Sequence, residues 1–228
     1  MLEPYYSKEL SERQIEVLVH YFHYFDVDPK EVHYIKTEEF YTDLYPIDLV
    51  IIEPNKKFDY YTIATVGFSE YKLDENFARS ELMMVMPKEW KPIFDKEKYY
   101  WAPALLKDIA YAAVTNKRAV KVGQVYLLNE EGKTYSPSTD AIGGIVTIAE
   151  MYDFDIYEAL IGETYTKFFQ VVPIDNNDYQ KIETMGPMKF IQFELHDSEN
   201  PLMVAKLKEK PVDGIDKLIS HNEKKLKG

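Results

Sequence analysis

The chain has no cysteine, which excludes a disulfide scaffold and thiolate metal sites and suits a reducing compartment. No stretch approaches the roughly 18 consecutive apolar residues of a membrane-spanning helix. The opening MLEPYYSKELSERQ lacks the basic start and apolar run of a secretory signal. A soluble, cytoplasmic protein is expected. Basic residues are scarce too: 27 Lys and Arg stand against 39 Asp and Glu, for a formal charge of −12. The imbalance is uneven, because from Lys206 onward seven Lys outnumber four acids and residues 1–205 alone carry −15. Such a body repels nucleic acid, whose binding needs Lys and Arg against phosphate. It favours encounter with a basic protein.

Reactive constellations are missing as well. Ser69 follows Gly67-Phe68 without the second glycine of a G-x-S-x-G elbow. Gly143-Gly144 runs into Ile145 rather than the Lys-Ser/Thr of a phosphate loop. His20 and His23, three apart on a helix, could join Asp26 or His33 around zinc. No H-E-x-x-H or second ligand pair supports that, and both fit as ordinary residues flanking an apolar stripe. Around Glu150, Asp153, Asp155 and Glu158, bulky apolar residues stand where an EF-hand needs ligands and glycine. A solvated acidic loop is the simpler reading. No catalytic residue, metal or cofactor is expected.

What the sequence does have is 46% hydrophobic residues, 19 Tyr and 12 Phe, ample for one packed domain. Ser11 with Gln14 three residues on is a capping box, and Ile15, Leu18, Val19, Phe22 and Phe25 follow at helical spacing, so a helix over 11–24 is predicted. Strands are predicted at 32–35, 47–52, 60–66, 82–86, 124–128, 145–148 and 167–172, the last closed by Pro173. A second helix over 101–114 has Pro103 in its first turn. Leu105, Leu106, Ile109, Ala110 and Ala113 share one face, with Lys107, Asp108 and Tyr111 toward another. Asp175 caps a further helix to Met185, and Pro187 opens one to Leu195. Tyr60 and Tyr61 must point to opposite faces of their strand. Some strands adjoin through links too short for a helical crossover, which predicts α+β: a mixed β-sheet with helices packed on it, in a single domain.

Four segments then fall in register. They are Thr65-Val66-Gly67-Phe68-Ser69, Glu81 to Pro87 followed by Trp90, the Trp101-led helix, and Phe168 to Ile174 followed by Tyr179. Together they resemble the suppressor-of-fused domain family, with a core resemblance over 60–195 and a domain over 1–205 ahead of a Lys-rich tail, 206–228. The resemblance implies a non-catalytic binding domain. Animal members grip an extended peptide of a transcription factor, and many bacterial members act as immunity proteins beside secreted toxins. The animal branch grips with a Tyr in the Trp-led helix and an Asp after a Gly on the next strand. Here those positions hold Ala112, beside Tyr111, and Gln124 after Gly123, and the length leaves no room for the second domain of the animal clamp.

The candidate partner-binding residues are therefore Tyr111, Gly123 and Gln124. Asp153, Asp155 and Tyr157 join them from the acidic, aromatic run 150–165, which is either a docking surface or an acidic helix or loop with its rings in the core. The expected activity is occlusion of a basic partner, a toxin domain or regulatory protein, without nucleic acid or membrane. A regulatory scaffold or homo-oligomer, and a metal-dependent hydrolase, are the alternatives.

Overall fold

The structure, a computed structural model, describes residues 10–35, 45–73, 79–88, 90, 101–128, 132–136, 139–149 and 156–195. It holds one mixed eight-stranded sheet with helices on both faces. In chain order the strands are β1 (Val32–Ile35), β2 (Asp48–Ile52), β3 (Tyr60–Val66), β4 (Arg79–Pro87), β5 (Val125–Leu127), β6 (Gly143–Ile148), β7 (Glu158–Ile161) and β8 (Thr164–Ile174). They lie in the order β1-β2-β3-β4-β8-β6-β5, and β7 pairs with the first part of β8. Every pair is antiparallel except β4 with β8, where Arg79–Met83 run alongside Thr166–Gln170. The predicted α+β architecture is the one observed.

Helix α1 (Glu12–Phe25) begins as predicted. The Ser11 side chain accepts from the Gln14 amide, and the Gln14 side chain answers the Ser11 amide, closing a capping box. Its buried stripe differs from the expected one. Gln14, Val17, Leu18, Tyr21, Tyr24 and Phe25 face the sheet, whereas Val19 is 52% exposed and Ile15 and Phe22 lie at the margins. The tyrosines rotate the helix: the Tyr21 hydroxyl reaches the Thr65 carbonyl at 3.1 Å, so its ring packs inward with its polar tip satisfied.

α1 covers Val50, Ile52, Ala64, Val66, Met83, Val85 and Phe168 on one sheet face. Helix α2 (Trp101–Thr115) lies across the other face, on Leu49, Ile51, Ile63, Leu82, Met84, Val146 and Val171. The strand period of two divides these sets cleanly, and it sends Tyr60 into the α1 side and Tyr61 against the α2 side. Lys107, expected away from the core, is fully buried. Burial draws its ammonium down to about 8, while the Asp48 carboxylate pulls it back up.

Helices α3 (Asn176–Met185), capped by Asp175 as predicted, and α4 (Pro187–Phe190), followed by one π-helical turn at Ile191–Leu195, cover Ile145, Val172 and Ile174. β8 does not stop at Pro173 but continues to Ile174, with Pro173 opposite Gly144 on β6. The ladder with β4 ends at Gln170, so a residue without an N–H falls where no neighbour on that side asks for one. No helix among the described residues is long and apolar enough to cross a membrane.

Candidate binding site

Two of the four segments that carry the sequence resemblance converge on one buried carboxylate. Glu81 on β4 has no exposed surface. Its Oε2 accepts from the Thr65 hydroxyl at 2.6 Å, and its Oε1 accepts from the backbone N–H groups of Gly67 at 3.1 Å and Ser69 at 3.0 Å. Gly67 stands at φ +103°, and a Cβ there would lie 2.7 Å from the Gln14 amide nitrogen and 3.0 Å from the Pro46 carbonyl. Only glycine fits the turn.

Arg79 completes the turn by donating to the carbonyls of Ser69 and Glu70 at 2.7 and 2.8 Å. Burial pushes the Glu81 carboxyl up to about 7 against the pull of Thr65, Ser69 and Gly67. The T-x-G-x-S and E-L segments are thus two halves of one internal lock. Trp90 and Trp101 are likewise buried in the core under α2.

The expected partner residues are dispersed. Tyr111 on α2 donates to the Tyr45 carbonyl at 2.9 Å, and its ring lies 5.7 Å from Tyr45, which packs edge-on to Tyr71 at 5.4 Å. This half-buried trio sits beside the start of β2, on the far side of β3, β4 and β8 from Gln124. Tyr157 leads into β7; its ring lies 6.1 Å from Phe169, with the Lys167 ammonium 5.4 Å over it. Asp153 and Asp155 lie outside the described residues, as does the Lys-rich tail. The strand β7 went unread in the sequence, where Glu158 and Tyr165 belonged to a presumed acidic loop. In the structure they belong to a tight hairpin whose Leu160–Tyr165 cross-strand pair is exposed at 62% and 58%.

Gly123 and Gln124 form a corner of their own. The Gly123 amide donates to the Val146 carbonyl at 2.8 Å, with φ at +83° and the Met188 sulfur 3.0 Å from where a Cβ would stand. Gln124 turns its side chain inward: Oε1 accepts from the Lys121 amide at 2.8 Å and the Tyr126 hydroxyl at 3.2 Å. Beyond it runs β5, which among the described residues pairs with β6 alone. Gln124 accepts from Val146, and Leu128 donates to Ile142. The intervening odd residues, Val125 and Leu127, therefore turn their backbone N–H and C=O outward. Their side chains are half-buried, and exposed Leu128 and Met188 stand at the same corner.

Elsewhere the chemistry is sparse. A groove of about 440 Å³ beside β1 has His33 and Glu53 on its wall, 2.8 Å apart and both well exposed. His20 stacks on Phe168 at 4.5 Å, and among the described residues no three potential metal ligands converge.

A mixed sheet with a buried acidic lock and, among the described residues, edge strands β1 and β5 that each pair on one side defines an α+β module. The profile of the Suppressor of fused protein (SUFU) family matches residues 43–208, and the chain belongs to that family. Three solved structures share its fold. A SUFU homologue from Neisseria gonorrhoeae FA 1090 has a TM-score of 0.59 at 12% identity, over 84% of this chain and 94% of that one. The Sufu–Fu complex gives 0.64 at 12%, over 90% and 95%. Drosophila Suppressor of Fused gives 0.61 at 12%, over 92% of this chain but 53% of that chain, so the present chain spans about half of that protein. None of the curated proteins matches it.

Proposed function

We propose that the chain is a non-catalytic protein-binding domain that inhibits by occlusion. An extended segment of the partner adds as a strand to the outer edge of β5, beside Gly123 and Gln124. The carrying observation is that outer edge, where Val125 and Leu127 present backbone groups with no partner among the described residues, next to apolar side chains. Family membership, and the Sufu–Fu complex among similar folds, support a protein partner. In this reading Tyr111 and Tyr157 offer aromatic contacts, and Asp153 and Asp155 add to a body of −15 that steers a basic partner. A toxin domain neutralised in the cytoplasm by residues 1–205 is the finer form of the proposal, with 206–228 a separate tail.

The test is capture of a protein encoded beside this chain, with association measured at 50 and 500 mM salt. Association should slow at least tenfold at high salt. Val125→Pro, which deletes an outward N–H that β6 does not use, should abolish binding while leaving the unfolding midpoint within about 1 kcal/mol of wild type. Full binding by a folded Val125→Pro would remove the β5 edge from the reading. Failure to capture any neighbour at low salt would remove the inhibitor.

A further inference from the structure

The two oxygens of Glu81 are not equivalent. Oε1 faces two backbone amides, whereas Oε2 faces the Thr65 hydroxyl. That hydroxyl accepts from the Leu82 N–H at 2.8 Å, and the Leu82 carbonyl lies 3.3 Å away as a second acceptor for its hydrogen. Two proton arrangements therefore satisfy both carboxyl oxygens, the Thr65 hydroxyl and the Leu82 amide. With the carboxyl ionised, Thr65 donates to Oε2. With a proton on Oε2, Glu81 donates to Thr65 Oγ1, which still accepts from Leu82 N–H and turns its own hydrogen to the Leu82 carbonyl. The Gly67 and Ser69 amides keep Oε1 in both states, but hydrogen bonds to the charged form are roughly twice as strong.

We propose that Glu81 is a proton-operated latch on the 67–70 turn, with Thr65 as the rotor that lets it change state without leaving a buried group unpaired. The protonated carboxyl sits in the closed turn without a buried charge; losing that proton to solvent leaves a charge with no exposed surface, which the Gly67 and Ser69 amides offset only in part, and this loosens the turn. Tyr71 is the first residue after that turn, and its ring packs on Tyr45, which packs on Tyr111. The latch is thus wired to an aromatic trio.

The other ionisable groups around it are few. α1 brings Tyr21, bonded to the Thr65 carbonyl, with Arg13 and with His20, stacked on the Phe168 that stands opposite Glu81 on β8. β4 itself brings Arg79, and the turn brings Glu70. Burial dominates over all of them in raising the carboxyl toward neutrality.

The test is an NMR titration of the labelled full chain from pH 5 to 8.5. The Gly67 and Ser69 amides and the Glu81 carboxyl carbon should titrate with one midpoint, within about a unit of 7, and the Tyr71 ring signals should follow. Glu81→Gln should abolish the transition and His20→Gln should leave it in place. Thr65→Val should raise the midpoint by about half a unit or more, because the ionised form loses a donor. Silent amides, a transition that survives Glu81→Gln, or one that vanishes in His20→Gln would overturn the latch. Should Glu81→Gln not fold, Thr65→Val decides alone, and an unchanged midpoint refutes the proposal.

Discussion

The turn at Glu81 lies at the middle of the sheet, between β3 and β4, the corner at β5 lies at its edge, and the two are built in opposite ways. At the turn, Thr65, Gly67, Ser69 and Arg79 satisfy one another in the interior around a single carboxyl. At the corner, a three-residue strand leaves one side unpaired among the described residues, with exposed Met188 and Leu128 beside it. Of the four segments that carry the family signature, two meet in the first region, and the other two, the Trp101-led helix and Phe168–Ile174 with Tyr179, lie mostly in the core as well. A signature made of interior residues identifies a fold and leaves the partner open, because partners are met by edges and exposed side chains.

The contrast can be broken most forcefully at its centre. Glu81→Ala strands two amides and a hydroxyl in the interior and should cost about 4 kcal/mol in urea unfolding; a loss under 1 kcal/mol would mean that the turn is not locked. The same carboxyl sets a pH dependence. Its folded value lies above its unfolded one, so its contribution is full at low pH and is lost as pH rises from about 4.5 through about 7. Wild type minus Glu81→Gln should therefore fall by on the order of 3 kcal/mol across that window. An ordinary paired carboxylate would show the opposite sign.

Gly67→Ala, forced into a left-handed conformation against Gln14 and Pro46, should cost about 2 kcal/mol by the same measurement. At the corner, Met188→Gln should change stability by no more than about 0.5 kcal/mol, because its side chain is 58% exposed. It should weaken partner binding all the same. A large stability loss there would show the two regions to be built alike.

Most of the sheet was legible because β-branched runs such as Leu49–Ile52 have no other stable home, and both helix caps were legible because Ser11–Gln14 and Asp175 are local chemistry. Three features were hidden for a shared reason: each depends on something distant in sequence. The facing side of α1 was set by Tyr21 finding a carbonyl 44 residues away. β7 is four residues long and exists by pairing with β8. Pro173 could remain in a strand because the ladder between β8 and β4 had already ended at Gln170. Of the candidate site, Gly123 and Gln124 are neighbours in sequence and share one corner, whereas their separation from Tyr111 and Tyr157 needed the sheet order, which no local pattern carries.

The single parallel seam has a temporal consequence. β1 to β4 form a ladder of neighbours, but β4 meets its other flank only when Thr166–Gln170 arrive, more than eighty positions later in the chain. Until the ribosome has delivered them, the rim of β4 from Arg79 to Met83 stays open, and the nascent half-sheet is at its most adhesive. Closure of that seam, a contact between remote stretches, is the step that should limit how fast the whole molecule matures.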